Sequence, residues 1–151
     1  MSGETYRRVV TGLDAEGRST VVLDGPVPRT SAAGVVWHSA GVPADNAAAP
    51  DTVPTTHSFA AMHGGGTNFL ITEMPPGIQP FWHATDTIDY IVVIKGEIVL
   101  ELEAGETRVG PGEFIVDRGV IHAWRNDGPE TVVMASITIP AHPIGKGRTV
   151  G

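Results

Sequence analysis

From Thr67 onward, apolar residues recur at alternate positions in short runs separated by glycine, proline and other turn formers. A two-residue period belongs to an extended chain, whose successive side chains point to opposite faces. It predicts strands at Asn68–Met74, Phe81–Thr85, Ile88–Ile94, Glu97–Glu103, Thr107–Val109, Glu113–Asp117, His122–Asn126 and Thr131–Ile139. The gaps carry PPG, KGE, AGE, GPG, RG and NDGP, which supply Gly or Pro where antiparallel strands must reverse. Earlier in the chain, Tyr6–Thr11 and Ser19–Leu23 flank the turn-rich GLDAEG, and Val35–Ser39 forms a third run. Residues 40–58 are rich in Pro, Ala, Asp and Thr and read as a loop that could fold over one mouth of the structure. No window shows a 3.6-residue period. Evenly spaced short strands of this kind predict an all-β sandwich or barrel.

One stretch breaks the apolar pattern in an ordered way. In GIQPFWHATDTIDYIVVIKG, residues 77–96, His83, Thr85 and Asp89 share the parity of Ile91 and Val93, while Tyr90, Val92 and Ile94 take the opposite one. With apolar residues on both faces, His83 and Asp89 are expected in a cavity, where a buried charge needs a partner or a metal. Phe81 shares parity with His83, and Trp124 with His122, so both rings are expected to line that cavity with Thr85. Tyr90, facing away, is assigned to packing. If the fold brings His122 to the same cavity, His83 and His122 would act as acid and base, with Asp89 fixing the tautomer of one of them.

Composition narrows the partners. The 151 residues contain no Cys, 19 Gly and 12 Pro, are 41% hydrophobic and carry a formal charge of −7. Disulfides, thiolate metal sites and a thiol nucleophile are excluded. The ten Lys and Arg are scattered, which argues against nucleic acid or an anionic membrane as partner and leaves a small-molecule substrate. No apolar run is long enough to span a bilayer, and the expected location is cytoplasmic. One structural domain is expected: residues 1–66 give N-terminal strands and an irregular loop packing on a barrel core formed by residues 67–151.

Two motifs carry a family resemblance. Gly77, His83, Asp89 and Gly96 keep the spacing G-x5-H-x-H-x3-E-x6-G, with Thr85 at the second His and Asp89 at the Glu. GEFIVDRGVIHAWRN echoes G-x5-P-x-G-x2-H-x3-N through Gly112, Gly119, His122 and Asn126, with a loop one residue shorter. On these motifs the chain resembles a small single-domain cupin, a double-stranded β-helix or jelly-roll barrel. That resemblance implies a divalent transition metal (Fe, Zn, Mn or Ni) held by His83, Asp89 and His122, the composition of a facial triad. It also implies a homodimer, for which Val9, Val10, Val21 and Val22 on the N-terminal strands would be suited. Three functions stay open: a lyase or isomerase acting on a small oxygenated compound through His83, Asp89 and His122; an Fe(II)-dependent dioxygenase using the same residues; and a non-catalytic metabolite-binding protein.

Other features have plainer explanations. Glu101 and Glu103 read as a solvated strand face, and His38, His57, His63 and His142 fall in irregular regions or at their edges. HGGGT at His63–Thr67 is similar to a lipase oxyanion loop, but no G-x-S-x-G elbow accompanies it, so a glycine turn explains it better.

Overall fold

The computed structural model describes residues 3–29, 33–47, 51–53 and 64–145. His57, His63, the tail beyond Gly145 and part of the 40–58 loop lie outside the described residues. Ten strands and no helix make up the regular structure among the described residues: β1 Arg7–Leu13, β2 Ser19–Pro26, β3 Gly34–Ser39, β4 Thr67–Met74, β5 Thr87–Lys95, β6 Ile98–Leu102, β7 Gly105–Val109, β8 Phe114–Asp117, β9 His122–Arg125 and β10 Val132–Pro140. Among the described residues no helix is long and apolar enough to cross a membrane.

All ladders are antiparallel. A five-stranded sheet in the order β3-β4-β10-β5-β8 faces a three-stranded sheet in the order β7-β6-β9, and β1-β2 forms a separate hairpin. Chain neighbours β5 and β6 sit in different sheets, and β10 returns between β4 and β5, which is the crossing pattern of a jelly roll. The double-stranded β-helix expected from the motifs is what the chain forms. β3 lies before residue 67 yet extends the barrel's five-stranded sheet, so the barrel begins earlier than the sequence division suggested.

Between the sheets, Ile91 and Val93 of β5 meet Ile98 and Leu100 of β6, Val109 of β7, Ile115 of β8 and Met134 of β10. These are the inward members of each alternating run, which is why the period in sequence predicts them. The turn from β5 to β6 places Gly96 at φ +73°, in the left-handed region that favours glycine. Ile98, immediately after it, is fully buried. Ile98→Ala is expected to cost about 3 kcal/mol, the loss of buried methyl groups plus a residual cavity. A urea midpoint unchanged within error would contradict this placement.

Register sorts whole rows of residues by face. Trp37–Phe69–Ile137–Tyr90–Val116 are cross-strand partners on the outer face of the five-stranded sheet. Phe69 is 39%, Ile137 37%, Tyr90 47% and Val116 61% exposed, so this face is apolar yet largely open. Two covered faces on β5 were expected; only the odd-numbered one is buried, and Tyr90 is a surface residue. The outer face of the three-stranded sheet is the opposite in character. There Arg125 pairs with Glu101, Glu106 and Asp127, and Arg108 with Glu97 and Asp127. Glu101 is therefore half-buried under an arginine rather than simply solvated.

The hairpin is tied to the barrel at a few points. Arg8 donates to the Val36 carbonyl at 3.2 Å and pairs with Asp51, and the Tyr6 hydroxyl donates to Glu73 at 2.9 Å. Val27, just after β2, packs with Ile71 and Val133 on the outside of the sheet. Gly41, Pro43, Ala44, Asp45 and Asn46 line an open groove beneath the hairpin together with His38, so this part of the 40–58 loop lies away from the cavity lined by His83 and His122.

Candidate functional site

The segment that carries His83 is extended without being a regular strand. Phe81–Thr85 was expected as one; in its place a single β-bridge joins His83 to His122, the first residue of β9. Each donates its amide to the other's carbonyl, His83 N to His122 O at 3.0 Å and His122 N to His83 O at 2.9 Å. This two-bond clamp sets the imidazoles side by side with ring centroids 4.3 Å apart. Asn126 helps hold the approach, since its amide nitrogen donates at 2.8 Å to the carbonyls of Met74, the last residue of β4, and Glu130, just before β10.

Both rings have a defined tautomer. His83 Nδ1 lies 2.9 Å from the Phe81 carbonyl and His122 Nδ1 2.9 Å from the Val120 carbonyl. A carbonyl only accepts, so each Nδ1 carries a hydrogen. The Nε2 atoms are then the positions at which protons can be taken up or given away.

Behind His122 stands a residue that the sequence reading passed over. Asp117 Oδ2 lies 2.9 Å from His122 Nδ1, with both side chains 3% exposed. Because that N–H is aimed at the Val120 carbonyl, Oδ2 receives no well-aligned hydrogen, and the contact is chiefly electrostatic. Asp117 Oδ1 accepts from the amides of Gly119 and Val120 at 3.0 and 3.3 Å, closing the turn that delivers His122. Asp117, and not Asp89, is therefore the carboxylate that sets His122. A carboxylate on the inward parity of β8, two residues after Ile115, was the available signal; it stood at the end of the expected strand Glu113–Asp117 and was given no role.

Asp89 belongs to a polar row on the inner face of the five-stranded sheet. His38, Asn68, Thr138, Asp89 and Asp117 are successive cross-strand partners. Asn68 Nδ2 donates to Thr138 Oγ1 at 3.1 Å, and His38 Nδ1 lies 3.1 Å from Asn68 Oδ1, so His38 is a member of this belt rather than an isolated histidine. Thr85, Thr87 and Asp89 form a chain: Thr87 Oγ1 is 2.8 Å from Thr85 Oγ1 and 2.7 Å from Asp89 Oδ1. Thr87 has one hydroxyl hydrogen; when it goes to an ionised Asp89, Thr85 donates to Thr87 in turn. Thr85 is thus engaged behind the cavity and is absent from the cavity wall.

The charges of the cluster follow from these contacts. Burial alone would raise Asp117, but the charge of the adjoining His122, together with the Val120 and Gly119 amides, outweighs it and holds Asp117 below the usual carboxylate range. Burial likewise opposes a proton on His122, and the adjoining Asp117 reverses that, raising His122 above the usual imidazole value. Asp89 is pushed up to about 6, by burial first and then by the nearby Asp117 charge, with the Thr87 hydrogen bond and His122 acting the other way. Stability linked to Asp89 is accordingly full below its unfolded value near 3.8 and is lost as pH rises through about 6. Asp89→Asn, which keeps an acceptor for Thr87, is expected to be more stable than the parent at pH 7, by on the order of 2 kcal/mol, with the advantage shrinking toward pH 4. Urea unfolding of both proteins across this range measures it; a difference independent of pH would contradict the assignment.

These residues open onto a cavity of about 330 Å³ between the sheets, within the size range of small-molecule sites. His83, Asp89, His122, Phe81 and Trp124 all line it, as the sequence suggested. The Phe81 ring stacks on His83 at 5.2 Å, and Trp124 meets His122 edge-on at 5.2 Å. Although His83, Asp89 and His122 share the cavity, no group of three or more His, Asp or Glu side chains among the described residues is arranged to hold a metal ion. The position of the missing second imidazole is filled by the hydrogen-bonded Thr85 hydroxyl. In this arrangement the three side chains do not form the facial triad expected from the motifs.

The family model described as "Cupin domain" matches residues 70–139. Among curated proteins, phomopsin biosynthesis cluster protein C' of Diaporthe leptostromiformis is 33% identical over 93% of this chain and 81% of its own length. Oryzines biosynthesis cluster protein J of Aspergillus oryzae is 40% identical over 53% of this chain, and the match spans only 46% of that relative. A protein of Aspergillus ruber named cupin-domain-containing oxidoreductase fogC is 27% identical over 79% of this chain and 63% of its own length. Among solved structures, an rmlc-like cupin family protein with a double-stranded β-helix fold from Methanocaldococcus jannaschii aligns at a TM-score of 0.46 with 18% identity, covering 49% of this chain and 70% of that one.

Proposed function

The chain belongs to the cupin family, and from that premise we propose that its barrel is an enzyme moving protons on a small oxygenated compound, a lyase or isomerase. The observation that carries this reading is the shared tautomer of the two imidazoles, each with Nδ1 committed to a backbone carbonyl 2.9 Å away. In a dehydration, His83 Nε2 takes the proton from carbon while His122, protonated and backed by Asp117, gives its Nε2 proton to the departing hydroxyl. The C–H and C–O bonds break, a C=C bond forms and water leaves. His83 ends protonated and His122 neutral, and proton transfer between the neighbouring rings restores the start. Asp89, with its raised proton affinity, is a second proton store on the same wall.

A second reading is an Fe(II)-dependent dioxygenase with His83, Asp89 and His122 as ligands; in its favour, several relatives are named oxidoreductases. The arrangement of donors speaks less for it. One experiment separates the two: a β-hydroxy aryl ketone is incubated with the protein in chelator without oxygen, and the conjugated enone is followed by its absorbance. Protein-dependent enone formation is expected. Turnover appearing only with Fe(II) and oxygen would overturn the proton-transfer reading, and tight binding with neither reaction would favour a metabolite-binding protein.

A homodimer is part of the same proposal, supported by the hairpin, whose Val9 and Val21 are 48% and 51% exposed. A two-stranded ribbon with bare valines gains by covering them against another surface. Sedimentation equilibrium at low micromolar concentration is expected to give twice the 15.8 kDa chain mass; a monomer alone would remove the idea.

A further inference from the structure

The walls of the cavity define what fits between them. One wall is a run of rings, Phe81, His83, His122 and Trp124, in consecutive contact at 5.2, 4.3 and 5.2 Å. Facing it, β4, β5 and β10 contribute the aliphatic side chains of Leu70, Met74, Ile91 and Met134. No Lys or Arg lines the cavity among the described residues, and its acidic residues are Asp89 and Glu73, the latter accepting from Tyr6 of the hairpin. From this lining we infer that the site takes an uncharged ring compound bearing a carbonyl or hydroxyl oxygen, and that it turns away the corresponding carboxylate. This rests on the proton-transfer reading only in the role it gives the oxygen.

The physical grounds are electrostatic and steric. A carboxylate ligand would bring a second negative charge beside Asp89 into a largely apolar space, with no guanidinium or ammonium to receive it. The charge of His122 is already met by Asp117 at 2.9 Å. A cationic ligand would lose its own hydration against aromatic and aliphatic walls, and the Asp89 carboxyl it would seek is engaged by Thr87 at 2.7 Å. A neutral oxygen costs far less to bury and needs a single hydrogen-bond partner, for which the His122 ring stands on the cavity wall. A flat ring fits between a face of aromatic rings and a face of branched and thioether side chains.

Three probes of nearly one shape and different charge test the inference: benzamide, benzoate and benzamidine, titrated calorimetrically into the protein at pH 7.5. Benzamide is expected to bind at least about tenfold more tightly than either ion, and Trp124→Ala to weaken benzamide by a similar factor. Preference for benzoate or benzamidine, equal binding of all three, no binding of benzamide, or benzamide binding indifferent to Trp124→Ala would each overturn it. Catalysis is scored separately by the enone assay. Benzamide selectivity without turnover would leave the ligand class standing and remove the reaction; turnover with a preference for benzoate would do the reverse.

Discussion

His122→Gln is expected to lower kcat/KM by about 10²–10⁴-fold, the usual contribution of a positioned general acid. It is also expected to destabilise the protein at neutral pH by about 3 kcal/mol, because Asp117 would keep a buried charge without its partner. The two losses are separable. Adding Asp117→Asn removes the stranded charge, keeps the Oδ1 acceptor for the Gly119 and Val120 amides, and should restore most of the stability while leaving the activity as low as before. Unfolding and turnover measured on the parent, both single variants and the double variant decide it. Full activity in His122→Gln would exclude His122 as the acid, and a double variant no more stable than His122→Gln would mean that the Asp117–His122 contact is not the source of the loss.

The turn beneath that pair is the other point of greatest sensitivity. Gly119 has φ +72°, and a Cβ there would lie 2.4 Å from the Thr85 carbonyl oxygen and 3.0 Å from that of Thr87. Backbone atoms cannot swing aside as a side-chain tip can, so Gly119→Ala must move either the Thr85–Thr87 segment or the turn that delivers His122. A loss of about 3 kcal/mol or more is expected, the left-handed strain of about 1 kcal/mol plus the displacement. Gly112→Ala is the control: its φ is +79°, but nothing lies within 4 Å of the added carbon, so it should show the backbone strain alone. Thermal or urea midpoints compare them directly. Equal losses at the two positions would mean that the close approach of Thr85 and Thr87 is of no consequence.

Much of this architecture was readable from alternation. Where a residue stands in a continuous ladder, its neighbours two places away share its face, and so Asp89, Ile91 and Val93 on β5 and His122 on β9 were placed inward correctly. Phe81–Thr85 obeys the same alternation but pairs only at His83, because the segment is held by its contacts with β9 and not by a ladder; an extended chain and a strand look alike in one sequence. Asp117 was hidden for a different reason. Its partner His122 is five residues away across a tight turn, and only the cross-strand register of β5 and β8 shows that it also faces Asp89. Sequence spacing gives parity within an element, whereas register between elements is set by turns and packing that no single strand encodes. The two carboxylates opposite each other, and with them the identity of the residue that holds His122, became visible only in three dimensions.

The contrast between the two outer sheet faces bears on how the protein behaves as a colloid. Ion pairs clothe the three-stranded face, while Phe69, Ile137, Tyr90 and Val116 lie bare across the other. What keeps such bare rows apart in concentrated solution is the shared negative charge of the molecules, −7 at neutral pH and vanishing near pH 5.2. The acidic range in which Asp89 takes up its proton is therefore also the range in which electrostatic repulsion fails and the uncovered row turns adhesive. Crystallisation and storage near pH 5 will favour contacts through this face, and a single charged substitution at Val116, the most exposed of the four, should widen the working range of concentration without touching the cavity on the far side of the sheet.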